Sequence, residues 1–287
     1  MKNHFFISML AAAALLGGLT ACNGKLDKAP RADQVPENAV RITASIGNPF
    51  AATRSMPLGT EEEQGKFNVG DEIFVSTPGL QRATYRFDGT VWVPKEGKYL
   101  LWKEDMERFN AYYPAESGEN PFSYVHPTDQ SSTEKIAKAD LMSVGLDQAK
   151  TKEALHFTMR RRTTRLIVEI AGFKSEFPGD AKVENVRFLN KANASAPLRT
   201  YIPYAKGEGK TGSTYTVLVP WDAAHNTISL EVGGKTMTAK LSEITYDSGL
   251  SYTYRLTVGK EKLETTEVTV SDWTGSAIIP GGEAKAN

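Results

Sequence analysis

The sequence predicts an all-β protein built as two β-sandwich domains in tandem, and three observations carry that expectation. Short segments that alternate apolar and polar residues, rich in Val, Ile, Thr and Tyr, recur along nearly the whole chain. That alternation is what a half-buried strand needs, because successive side chains point to opposite faces of a sheet. Clusters of Gly, Pro, Asn and Asp separate the segments at the close spacing of sandwich strands. Helical periodicity is weak and appears only around Thr133 to Asp140. Counted from Cys22, 266 of the 287 residues remain, too many for one typical domain and comfortable for two.

Residues 1–21 read as a lipoprotein signal peptide. Lys2 gives a positive start, and Phe5 to Leu16 (FFISMLAAAALL) is apolar. An apolar run of about a dozen residues suits a signal peptide and is short of a membrane span. Leu19-Thr20-Ala21-Cys22 then fits the bacterial lipobox, with cleavage between Ala21 and Cys22 and lipid on the Cys22 thiol. Cys22 is the only cysteine, so no internal disulfide can form. Several acyl chains on one cysteine make a firm tether, whereas a single chain holds only marginally. Residues 22–38 are polar with two prolines and read as a flexible linker from lipid to fold.

The first sandwich is expected over 39–175. VRITASI (Val40 to Ile46) places Val40, Ile42, Ala44 and Ile46 on one face. DEIFVST follows as a short strand. ATYRFDGTVWVP is a hairpin candidate with Asp88-Gly89 at its turn, because a tight turn needs positive φ angles. RFNAYYP, ALHFTM and RLIVEIAGF complete the set. Gly172 to Asp180 (GFKSEFPGD) breaks the pattern and marks the expected boundary. The second sandwich, 176–287, offers KVENVRFLN, RTYIPY, TYTVLVPW, TISLEV, KTMTAKL, SYTYRLTV and LETTEVTVSDW, with Gly233-Gly234 as a two-residue hairpin turn.

Motifs that would carry catalysis are missing, and the sequence predicts neither an enzyme nor a cofactor. His4, His126, His156 and His225 are scattered and form no metal-ligand spacing. GEGKTG (Gly207 to Gly212) spells a dinucleotide fingerprint but leads into a strand rather than a helix, so a hairpin loop is the expectation. MRRRTTR (Met159 to Arg165) is an isolated basic run in a chain with 34 basic and 34 acidic residues, which argues against a nucleic-acid partner. Asp71 and Glu72 read as a turn and a strand start rather than a catalytic pair.

Four collinear stretches resemble the fimbrillin family, the subunits of type V pili in Gram-negative anaerobes. They are LTAC with its polar stalk and VRITASIGNPFAATRS; FNVGDEIFV with RFNAYYP; ADLMSVG with ALHFTMRRRTTRLIVEI; and SGLSYTYRLTVGKEKLETTEVTVSDWTG. One departure is Met159, where many members have a histidine, a position expected to be structural.

The resemblance implies transthyretin-like sandwiches, which are immunoglobulin-like in architecture, and a route of assembly. The precursor would reach the outer membrane as a lipoprotein anchored through Cys22 and take its place at the cell surface in a fimbrium. An arginine-specific protease would cut after the first strand, between Arg54 and Ser55. Arg41 lies inside the strand, and a cut at Arg31 would leave the strand attached. Loss of that strand would open a sheet groove, and another pilus subunit would fill it with a donor strand. The plain alternative for Arg54 is a surface arginine. The tail after Trp273 offers only Ala277 to Ile279 as a strand to donate, which points to a tip, minor or anchor subunit. The competing reading is a non-polymerising surface lipoprotein that binds a glycan or a host protein. It would need exposed aromatics from Trp92, Trp102, Tyr112, Tyr113 or Trp221.

Overall fold

The computed structural model describes residues 35–47, 66–79, 81–120, 124–191, 195–220, 225–241, 246–260, 263–272 and 277–280. In chain order the elements are β1 (Ile42–Ile46), β2 (Glu72–Ser76), β3 (Arg82–Phe87), β4 (Trp92–Pro94), β5 (Met106–Tyr113), α1 (Ala115–Glu119), α2 (Thr133–Lys138), β6 (Met142–Ala149), β7 (Leu155–Arg161) and β8 (Thr163–Phe173). Then come β9 (Glu184–Lys191), β10 (Arg199–Tyr201), β11 (Tyr204–Lys206), β12 (Thr214–Pro220), β13 (His225–Val232), β14 (Lys235–Lys240), β15 (Leu250–Val258), β16 (Leu263–Asp272) and β17 (Ala277–Pro280). The protein is all-β, as the alternating pattern predicts.

A first sheet runs β1-β7-β6-β5-β2-β3-β4. β6 and β7 pair only at Met142–Arg161 and Ser143–Arg160, so the sheet folds over at that corner. Its two ends then meet, because Ala39 bridges Leu101 and the Val40 N–H donates to the Leu100 carbonyl at 2.8 Å. Between the layers lies a core of Ile42, Ile46, Ile73, Val75, Tyr85, Trp92, Trp102, Phe109, Phe157 and Met159, among others. Met159 is fully buried there, in the structural role expected of it.

The hairpin of β3 and β4 forms where DG predicts it. Gly89 has φ of +106°, and the Asp88 carboxylate accepts from the Thr90 and Val91 N–H groups at 2.8 Å each. β6 is a strand that the sequence pattern hides. Gly145 interrupts it, and a Cβ there would lie 2.9 Å from the Arg108 guanidinium that crosses it.

A four-stranded sheet, β10-β9-β13-β14, faces a six-stranded sheet, β11-β12-β8-β15-β16-β17. Their shared core takes Leu166, Val168 and Ile170 from β8 together with Phe188, Tyr201, Val217, Ile228, Leu230, Tyr252, Tyr254 and Leu256. The sequence predicts a break at Gly172 to Asp180, which leaves β8 with the N-terminal strands. The pairing corrects this: β8 lies between β12 (antiparallel) and β15 (parallel). The chain changes core at Arg162, a single residue between β7 and β8, and one residue leaves no compositional mark. RTYIPY is likewise two strands. β10 pairs with β9 and β11 with β12, because Pro203 between them has no N–H for a ladder.

The segment 127–139 straps the two halves together. Gln130 is fully buried and caps the β12 backbone at Leu218, accepting from its N–H at 2.7 Å and donating to its carbonyl at 2.8 Å. The Ile202 N–H bonds the Thr128 carbonyl, and the Gln130 N–H bonds the Ile202 carbonyl. α2, at the position where helical periodicity appears, packs Ile136 and Ala139 on Leu218. The Ser132 hydroxyl caps its N-terminus by accepting from the Lys135 N–H.

Candidate functional site at the edge strand β1

β1 is the one strand whose attachment differs in kind from the rest of the first sheet. It lies at the sheet edge and pairs with β7 alone, in parallel, Ile42 opposite Leu155 through Ile46 opposite Met159. A parallel neighbour cannot be reached by a tight turn, so β1 and β7 are far apart in sequence. The ladder is closed at its ends by Leu155 N–H to the Arg41 carbonyl at 2.9 Å and Gly47 N–H to the Met159 carbonyl at 2.7 Å.

Inward, β1 anchors the core with Ile42 and Ile46, and Val40 just ahead of it is wholly inaccessible. Each such side chain contributes about 1.5–3 kcal/mol by leaving water. Tyr85 locks the approach to the strand. Its hydroxyl donates to the Val40 carbonyl at 2.9 Å and accepts from the Leu100 N–H at 3.3 Å. Burial pushes this phenol far above its ordinary pKa, with the Leu100 bond opposing, so it stays a donor at any physiological pH. Outward, the exposed ring of His156 on β7 meets two β1 hydroxyls, Thr43 at 3.0 Å and Ser45 at 2.8 Å.

The chain leaves β1 at Gly47 and re-enters the described fold at Lys66. β2, which follows, lies well away from β1 in the sheet order. Arg54 and Ser55 fall in this connection, and they, Ala21 and Cys22 all lie outside the described residues. So do His4 and Trp221.

The other sequence candidates have structural roles. His126 bonds the Ala139 carbonyl at 3.0 Å, and His225 opens β13. Among the described residues no group of three or more His, Cys, Asp or Glu could hold a metal ion. GEGKTG is the loop joining antiparallel β11 and β12. Gly209 there has φ of +82° and its Cβ would strike the Val183 carbonyl, so close backbone approach explains the glycine.

Asp71 accepts from the Asn68 N–H at 2.6 Å within its turn, and Glu72 pairs with Lys95 on the surface. In MRRRTTR, Arg161 on β7 and Arg165 on β8 are both buried, Arg165 on the face of β8 opposite Leu166 and Val168. Arg161 forms a buried ion pair with Asp140 at 3.0 Å and Arg165 donates to the Ser251 hydroxyl at 2.9 Å. The sequence gives no sign of the Asp140 partner. Trp92, Trp102 and Tyr113 are buried in the first core, so three of the five candidate aromatics for a glycan site are not on the surface.

The family model for fimbrillin-like proteins matches residues 60–273. Among solved structures, the chain is similar to a candidate cell adhesion protein of Bacteroides ovatus, with 14% identity, 82% of this chain and 98% of that chain covered, and a TM-score of 0.56. It is similar to another from Bacteroides uniformis, with 15% identity, 83% and 100% covered, and a TM-score of 0.53. It also aligns with the fimbrial anchor protein Mfa2 of Porphyromonas gingivalis at 9% identity, 85% and 99% covered, with a TM-score of 0.43. No curated protein sequence matches. Among the described residues no helix is long and apolar enough to cross a membrane. The family match spans well over half of the chain, from β2 to β16, with β1 ahead of it: the chain belongs to the fimbrillin-like family.

Proposed function

We propose that this chain is a non-enzymatic structural subunit of a surface fimbrium, delivered as a lipoprotein on Cys22 and matured by cleavage between Arg54 and Ser55. The observation that carries this reading is the single-sided, parallel attachment of β1. Every residue ahead of Arg54 is joined to the rest of the chain through the 48–65 connection, so a cut at Arg54 turns β1 from part of the fold into a bound ligand. A tethered strand rebinds at a high effective concentration, and a free one does not. Its loss would uncover one edge of β7 and the apolar sites of Val40, Ile42 and Ile46. A strand from another subunit could restore both.

β17 is the edge strand of the six-stranded sheet, paired with β16 over Glu267 to Val270. It is the segment best placed to serve as a donor, and it is only four residues long. Such a short donor favours a tip, minor or anchor position over a stalk position.

Arg54→Ala should leave the precursor folded but block its maturation and its incorporation into fimbriae. The mass of the mature N-terminus on cells reads the outcome. A start at Ser55 supports assembly by strand replacement. A lipidated start at Cys22, with fimbriae unaffected by the variant, overturns it.

A further inference from the structure

The outer face of the β1 position carries a feature that core packing does not explain. His156 is directly opposite Thr43 in the parallel register and diagonal to Ser45. Residues two apart on a strand rise about 6.6 Å, and one imidazole between them reaches both hydroxyls through its two nitrogens, at 3.0 and 2.8 Å. Each hydroxyl can donate to the ring or accept from it, so the roles at Nδ1 and Nε2 follow the tautomer, and the Thr43 hydroxyl also lies 3.4 Å from the Leu155 carbonyl. A hydroxyl suits both places because it can give and take a hydrogen bond. An aliphatic side chain can do neither.

We propose that His156 reads the outward face of whichever strand occupies the β1 position, selecting hydroxyl side chains at two successive outward places. The core selects the inward face, because Val40, Ile42 and Ile46 fill it. The partner that fits is an extended segment running parallel to β7, apolar at alternate positions, with Ser or Thr at the two outward positions between them. For the strand's own chain this is a retention contact. For an incoming strand it is a test of identity and register, since a slip of one residue turns the hydroxyls inward. The second role rests on the replacement of β1 proposed above.

Two arms separate the proposals. In the uncut full chain, hydrogen exchange is followed at 42–46 in the parent, His156→Ala, the Thr43→Ala/Ser45→Ala pair, and all three together. Loss of two exposed hydrogen bonds should speed exchange roughly tenfold, and the triple variant should exchange no faster than His156→Ala. Independent, multiplying effects overturn the pairing. In protein cut after Arg54, a labelled Val40–Gly47 peptide competes with the same peptide carrying Ala at both hydroxyl positions. The parent should prefer the native peptide roughly tenfold, and His156→Ala should prefer neither. A preference that survives His156→Ala overturns the reading role. If neither peptide enters, replacement of β1 fails and the incoming-strand role falls with it, while the first arm still decides the contact with β1 itself.

Discussion

At the scale of single residues, the charge pair of Asp140 and Arg161 sits where β7 hands the chain on to β8. Burial holds the Asp140 carboxyl above its ordinary pKa, and the Arg161 guanidinium pulls it back down. Arg161→Met would remove the partner and leave a buried carboxylate, a change that costs about 3–5 kcal/mol. A carboxyl whose folded pKa is raised keeps its proton in the folded state after the unfolded chain has released it. Stability therefore falls as pH climbs from the unfolded value near about 3.9 through the folded one. Urea denaturation should show the variant's deficit full at pH 7 and smaller at pH 4. An equal deficit at both would refute the buried-carboxylate account. In the sequence this pair was invisible. The run of arginines is conspicuous, but Asp140 is brought to it by pairing of β6 with β7, a contact between residues 21 positions apart.

At the scale of elements, the alternation in VRITASI shows a strand and correctly shows which side faces the core. It does not show the neighbour. Ile42 opposite Leu155 is a pairing that depends on the path of everything between. Hairpins are legible because turn chemistry is local: DG and GG each give the antiparallel pair they predict, β3 with β4 and β13 with β14. β8 is apolar enough to suit either core, so its membership could not be read from composition. Ile42→Ala tests how firmly the core holds β1. Truncation of a buried isoleucine costs about 2–5 kcal/mol. The same change should release the strand more readily once Arg54 is cut, seen as faster loss of the N-terminal fragment in size exclusion. Unchanged retention would mean that β1's core contacts do not hold it.

At the scale of the whole molecule, two hydrophobic cores share one chain, and the strap through Gln130 and α2 joins them. Gln130→Ala would leave the Leu218 N–H and carbonyl without their buried partner, at about 1–3 kcal/mol for each group. Calorimetry of the parent should give one transition and of the variant two, because each core then melts by itself. A single transition in the variant would show that other contacts couple the halves. The all-β class and family could be read from the chain, because both rest on patterns distributed along its length. The strap could not, since its hold on β12 comes from the Gln130 side chain and the small cluster of Ile136 and Ala139 on Leu218.

The parallel register of β1 also has a consequence in time. Thr43 and His156 are 113 positions apart, so the loop that brings them together is among the slowest in the first sheet to close. β1 should dock after the other strands have condensed. Ile42→Ala should then accelerate unfolding and leave the folding rate nearly unchanged in stopped-flow measurements, and a slowed folding rate would place β1 in the nucleus instead. If β1 arrives last, the folding chain passes through a state with β7 uncovered. The hazard of capture by the wrong strand begins at birth, and the molecule's first competitor for that vacancy is its own N-terminus.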